Sequence, residues 1–156
     1  MPGEEPVDYV RRVAQDKALA VPCDAGEIVI AADTTVVCAS EILGKPASPE
    51  DARRMLGLLS GRRHDVITGV CIRTPEALTV RHEVTGVWFA TLTEEDIAAY
   101  AATGEPMDKA GAYAIQGIAS RYITRIEGSY SNVVGLPVAL VWRELIARGW
   151  LRNSPS

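Results

Sequence analysis

Six charged side chains in this 156-residue chain stand where the surrounding sequence gives no local reason for charge. The acids are Asp33, Glu105 and Asp108, and the ammonium groups are Lys17, Lys45 and Lys109. Lys17 falls in a helical stripe whose other members, Val10, Ala14 and Val21, are apolar. Asp33 follows directly on the apolar run Ile28-Val29-Ile30-Ala31-Ala32. Lys45 lies in Gly44-Lys45-Pro46, and the remaining three lie between Gly104 and Gly117. This set of groups suits a magnesium-bound triphosphate. A hard divalent cation takes one or two carboxylates plus substrate phosphates. Lysines meet phosphate oxygens and the charge that grows in the transition state, while a further carboxylate can take a proton from an attacking water. Plainer roles are open to the same residues: Lys17 can snorkel from the rim of a core, and Asp33 can cap a turn or start a helix.

Other chemistries find less support. The chain contains no GxxxxGK[ST] and no GxGxxG, so neither phosphate-cradling loop is available. His64 and His82 are the only histidines, which argues against paired-histidine metal sites, and His64 in Arg62-Arg63-His64-Asp65 reads as a solvated turn before a strand. Neither histidine lies in a recognisable triad setting. Cys23, Cys38 and Cys71 are odd in number and lack CxxC spacing, which points away from disulfides and zinc and towards a reduced, cytoplasmic protein. A net charge of −4 disfavours general nucleic-acid binding. No apolar run approaches the roughly 20 residues of a membrane span, and the acidic start Met1-Pro2-Gly3-Glu4-Glu5-Pro6 carries no apolar signal core.

The elements that must position these groups follow from pattern. The Val10/Ala14/Lys17/Val21 spacing predicts a first helix, with Arg11-Arg12 as a surface pair on it. Residues 27–38 predict a strand, and the unbroken apolar run suggests burial on both faces in a parallel sheet. Ser48-Pro49-Glu50-Asp51 predicts a capped helix start, running through Ala52, Met55, Leu56 and Leu59 to Gly61. Residues 65–73 and 78–89 predict a hairpin across 74–77, and Thr93-Glu94-Glu95-Asp96 opens a helix ending near Gly104. Residues 105–117 have neither period and read as a loop with a short helical turn. Residues 121–127 predict a strand, 128–135 a loop, 136–148 a closing helix and 152–156 a frayed tail. The composition, with one Phe among 156 residues, favours one α/β or α+β domain over an aromatic-rich sandwich.

Order and spelling add more than charge. Ala32-Asp33-Thr34-Thr35-Val36-Val37, Leu43-Gly44-Lys45-Pro46, Met55-Leu56-Gly57-Leu58-Leu59-Ser60-Gly61, His64 and Thr68-Gly69-Val70 resemble the Maf family of nucleoside triphosphate pyrophosphatases. So do Thr103-Gly104-Glu105-Pro106-Met107-Asp108-Lys109-Ala110-Gly111-Ala112-Tyr113, Ile115-Gln116-Gly117 and the stretch from Ile126-Glu127-Gly128-Ser129 through Tyr130-Ser131-Asn132-Val133-Val134-Gly135-Leu136-Pro137. The resemblance covers roughly residues 4–146. It implies an elongated α/β (mixed α+β) fold like that of inosine triphosphate pyrophosphatases, with a mixed twisted sheet, flanking helices and a central cleft. It further implies metal-dependent cleavage of a nucleoside triphosphate to the monophosphate and pyrophosphate, with Mg²⁺ or Mn²⁺ as cofactor. On this chain Asp33 matches the proton acceptor, and Lys17, Lys45 and Lys109 match positions lining the phosphate site. Asp33, Glu105 and Asp108 fall beside the metal, and Thr34 and Gln116 match positions linked to base selection in the branch acting on dTTP and UTP. A Gln116 amide both donates and accepts, so it can pair with the O4 and N3–H edge of thymine or uracil.

Family members normally begin with a strand and a Ser-Pro-Arg-Arg turn, which have no counterpart in this chain. The expectation is therefore a single domain over 1–156 that is shortened at its start, with weakened phosphate binding and an open sheet edge that invites a homodimer. The alternative is a non-catalytic nucleotide-binding protein acting in division control, as the family's association with septum formation suggests.

Overall fold

The computed structural model describes residues 3–150; the frayed tail expected at 152–156 lies outside the described residues. Five strands form one sheet in the order β2-β1-β3-β4-β5. They are β1 (Val29–Cys38), β2 (Glu41–Leu43), β3 (Arg63–Arg73), β4 (Leu78–Phe89) and β5 (Ile123–Glu127). The helices are α1 (Pro6–Leu19), α2 (Pro49–Leu59), α3 (Glu94–Ala102), α4 (Tyr130–Val134) and α5 (Val138–Ala147), with short 3₁₀ turns over Glu105–Asp108, Ala110–Ala112 and Ile118–Tyr122. The α/β class is as expected.

The sheet itself differs from expectation, because all four pairings are antiparallel. The apolar run before Asp33 is therefore not a doubly covered parallel strand. Ile28 and Ile30 are 39% and 42% exposed, while Val29 and Ala31 pack under α1. β2 pairs only with residues 36–38 of β1, reached through the left-handed turn Ala39-Ser40. Upstream of residue 36, β1 has no strand partner on that side among the described residues. The functional groups gather along this free stretch of edge.

Each face of the sheet carries its own packing. α1 lies over β1 and β3 on one face, burying Val10, Ala14 and Ala18. Gly69 makes this possible: a Cβ at that position would collide with the backbone at Val10, so only glycine lets the helix come this close. Val21 lies beyond the end of α1 and is exposed, so it does not join the expected stripe. On the opposite face, α2, α3 and the 105–119 segment cover Val36, Val66, Val87 and Phe89. Further along that face, α5 brings Val141 and Leu145 onto Val70, Ile72 and Ala32. A gap between these two clusters is left at Thr34 and Thr68, which are paired across β1 and β3.

Local signals decided most element ends. The Ser48 hydroxyl accepts from the Asp51 amide at 3.1 Å, and Thr93 and Asp96 form a reciprocal capping box. Thr74 and Ala77 close the β3–β4 hairpin. Departures from expectation are modest in length. A 3₁₀ turn occupies 118–122 before β5, α5 starts at Val138, and the supposed loop 128–135 contains α4, capped by Ser129.

Candidate functional site

A cleft of about 340 Å³ is lined by Lys17, Asp33, Thr34, Lys45, Asp108, Lys109 and Gln116. It wraps the free edge of β1. Asp33, facing Gly69 in the register, projects towards α1, whereas Thr34, facing Thr68, projects towards α4 and α5. Neighbours in sequence thus serve two sides of one hollow.

Lys17 stands in the last turn of α1, and the close seating of that helix on β1 and β3 brings its ammonium to the edge. Its Nζ donates to Asp33 Oδ1 at 3.0 Å and to the unpaired edge carbonyl of Ala32 at 3.1 Å. Lys17 thereby satisfies a sheet-edge acceptor and a carboxylate together. Its side chain is half-exposed and that of Asp33 is mostly covered. Lys45 follows β2 in an exposed bend, and neither it nor Lys109 forms an ion pair among the described residues. A second hollow of about 470 Å³ adjoins the first and shares Asp33, Thr34, Lys45 and Ala110 with it.

The wall carrying Asp108, Lys109 and Gln116 has only short 3₁₀ turns, so specific bonds must hold it. The Gly111 amide donates to the Gly44 carbonyl at 3.1 Å, tying this wall to the Lys45 bend. Gly111 adopts φ +72, and a Cβ there would approach Val36 Cγ2 to 2.7 Å, so glycine is required on both counts. Tyr113 and His64 share a hydrogen bond of 2.6 Å between Oη and Nε2. The Ala114 amide donates to the Tyr100 hydroxyl at 3.2 Å. His64 is therefore not in a solvated turn: it is 2% exposed within β3, edge-on to Phe89 and Tyr113. Burial pushes its pKa down to about 4, so it is neutral at physiological pH. The same cause raises the pKa values of Tyr100 and Tyr113.

Glu105 is not brought to the cleft. Its Oε1 turns back to accept from the Ile118 amide at 3.3 Å, and the Tyr100 hydroxyl faces it. It organises the 105–118 turn from behind. No group of three or more His, Cys, Asp or Glu side chains converges on a metal position among the described residues. Asp33 and Asp108 share the cleft lining, and a pair of hard oxygen donors fits a magnesium-like ion that takes its other ligands from water and phosphate. Arg12 belongs to the surface as expected, bonded to Glu4 and Asp16.

Several residues around the site carried no charge signal in the sequence. Tyr113, Ala114, Ile115, Val133, Val134 and Gly135 also line the cleft. Thr68 and Asn132 lie directly behind it, both fully buried. No helix among the described residues is long and apolar enough to cross a membrane. The three cysteines are free thiols.

Comparison with known proteins gives the chain's relatives. A family profile described as Maf-like protein matches residues 2–148. The dTTP/UTP pyrophosphatase of Anaeromyxobacter dehalogenans (strain 2CP-C) is 57% identical over 143 residues, covering 89% of this chain and 72% of the relative. Those of Koribacter versatilis (strain Ellin345) and Geobacter sulfurreducens are 51% and 52% identical over 150 and 148 residues, and the matches cover 78% of each relative.

Proposed function

The chain belongs to the Maf-like protein family, and from that premise we propose that it hydrolyses dTTP and UTP to the nucleoside monophosphate and pyrophosphate in the cytoplasm. The observation that carries this reading is the convergence of Lys17, Asp33, Thr34, Lys45, Asp108, Lys109 and Gln116 on one cleft, from segments far apart in sequence. The lining combines charged residues with apolar ones and the Gln116 amide, which suits a molecule with an anionic tail and a flat, hydrogen-bonding head.

In this scheme Lys45 and Lys109 grip phosphate oxygens. Lys17 holds Asp33 in place through Oδ1, and Oδ2 remains able to take a proton from water. Water attacks the α-phosphorus, the bond to the bridging oxygen breaks, and pyrophosphate leaves with the electron pair while the water's proton passes to Asp33. The lysine ammonium groups offset charge on the departing pyrophosphate. A Mg²⁺ or Mn²⁺ ion held by Asp33 and Asp108 would supply further neutralisation of phosphate charge. Glu105 has no part in holding it, since its carboxylate faces Ile118.

The test is direct. The purified chain is incubated with dTTP or UTP and magnesium, and the products are separated by anion-exchange chromatography. Pyrophosphate and monophosphate in equal amounts are expected. Orthophosphate and the nucleoside diphosphate instead, or no product above an enzyme-free blank, would refute the proposal.

A further inference from the structure

Behind the cleft, a line of hydrogen bonds runs inward from Thr34 through Thr68 to Asn132. Thr34 Oγ1 lies 2.8 Å from Thr68 Oγ1, and Thr68 Oγ1 donates to the Asn132 carbonyl at 3.3 Å. Thr68 is 0% exposed, so no bulk water reaches it. A hydroxyl has one proton, and a carbonyl only accepts. The Asn132 carbonyl, which also accepts from the Gly135 amide at 3.0 Å, offers the Thr68 proton a place, and with the proton there the 2.8 Å contact is made by the proton of Thr34. The far end of the line is anchored. Asn132 is fully buried, and its two Nδ2 protons are shared among three acceptors, the carbonyls of Val66 and Glu83 and Thr85 Oγ1, at 3.1, 3.2 and 2.9 Å. With its proton turned inward, Thr34 offers the cleft an oxygen that can accept but not donate.

Resting on the pyrimidine nucleotide reading above, we propose that Thr68 is a positioning residue that makes Thr34 an acceptor and so selects bases with an N3–H over cytosine. Uracil and thymine present a donor at N3 and an acceptor at O4, whereas cytosine presents an acceptor at N3 and a donor at N4. Gln116 alone does not distinguish them, because its exposed amide has both functions and can turn over to suit either. Thr34 cannot adapt while Thr68 holds its proton. An N3–H pairs with it, and the lone pair of cytosine N3 opposes it.

Thr68→Val keeps the side-chain shape but removes the acceptor, which frees the Thr34 hydroxyl to turn. The measurement is kcat/KM for UTP and CTP in the parent, Thr68→Val and Thr68→Ser. Thr68→Val is expected to lower the UTP/CTP ratio by about tenfold or more, mainly through better use of CTP, and Thr68→Ser to keep the parent ratio. An unchanged ratio in Thr68→Val overturns the proposal, as does an equal fall in Thr68→Ser, which would indicate packing rather than proton direction. Calorimetry with UMP and CMP separates this inference from the hydrolase reading, because it needs no turnover. A parent chain that prefers UMP supports the inference even where no pyrophosphate is released. Equal affinity of the parent for the two overturns it, whether or not Thr68→Val folds.

Discussion

Two polar pairs stand on opposite walls of the cleft and differ in what surrounds them. Lys17 and Asp33 meet at 3.0 Å with side chains 51% and 19% exposed. His64 and Tyr113 meet at 2.6 Å and are 2% and 6% exposed. An exposed ion pair contributes about 0–1 kcal/mol to stability, because water competes for both charges. Lys17 and Asp33 can therefore change partners when a substrate arrives at little expense to the fold. A buried pair has no water to fall back on, and deleting one member strands the other at about 1–3 kcal/mol. The chemistry sits where partners can be exchanged, and the scaffold where they cannot.

The largest effect that would test this division is on rate. Asp33→Asn keeps the shape of the side chain but removes the proton acceptor, so pyrophosphate release should fall by about 10²- to 10⁴-fold. Its denaturation midpoint should stay close to that of the parent. A variant that kept its rate and lost stability would reverse the roles assigned to the two walls.

Next in size is His64→Ala. Removing a fully buried ring that packs against Phe89 and Tyr113, and stranding the Tyr113 hydroxyl, should destabilise the chain by about 2–4 kcal/mol in urea unfolding. Turnover per folded molecule should fall far less than in Asp33→Asn, because His64 touches no substrate. An unmoved urea midpoint would show that the His64–Tyr113 bond does not hold this wall.

The same histidine sets an acid limit of somewhat smaller size. Its folded pKa of about 4 lies below the ordinary value of 6.5, so the unfolded chain takes the proton first as the pH falls. This contribution to stability is complete above about pH 6.5 and is lost between there and about pH 4, by up to about 3 kcal/mol. His82 is lowered in the same direction by burial and by Arg11, so the parent's slope alone does not isolate His64. The slope difference between the parent and His64→Gln does. Identical slopes over pH 4–6.5 would remove His64 as the cause.

What the sequence made legible follows from range. Ser48 and Thr93 act within three residues of themselves, and both caps were readable. Charge was readable too, since an ammonium among Val10 and Ala14, or a carboxylate after Ile28–Ala32, is anomalous by type alone. The partners of buried neutral groups were not. The sequence reads His64 as a solvated turn, because its bond to Tyr113 spans 49 residues and leaves no local mark. Thr68 and Asn132, 64 apart, gave no sign of their contact. The resemblance implies that Glu105 lies beside the metal, whereas its Oε1 here accepts from the Ile118 amide, 13 residues on. The strand at 29–38 was readable, but its apolar run reflects an α1-covered face beside an open edge rather than parallel pairing. α4 was too short, at five residues, to show a period.

The smallest expected effect is the most exacting test of the contrast between the walls. Lys17→Gln shortens the side chain and removes the charge that meets Asp33 Oδ1 and the Ala32 carbonyl. If the pair is built for exchange, its coupling to the fold is that of an exposed ion pair. A double-mutant cycle of Lys17→Gln with Asp33→Asn, followed by urea unfolding, should then return a coupling below about 1 kcal/mol. The same cycle followed by pyrophosphate release should be far from additive, because both residues act on one water and one phosphate. A stability coupling near 3 kcal/mol, the size expected when a buried pair is broken, would place Lys17 and Asp33 in the scaffold alongside His64 and Tyr113. The division between exchangeable and fixed walls would then fail on the side where it matters for turnover.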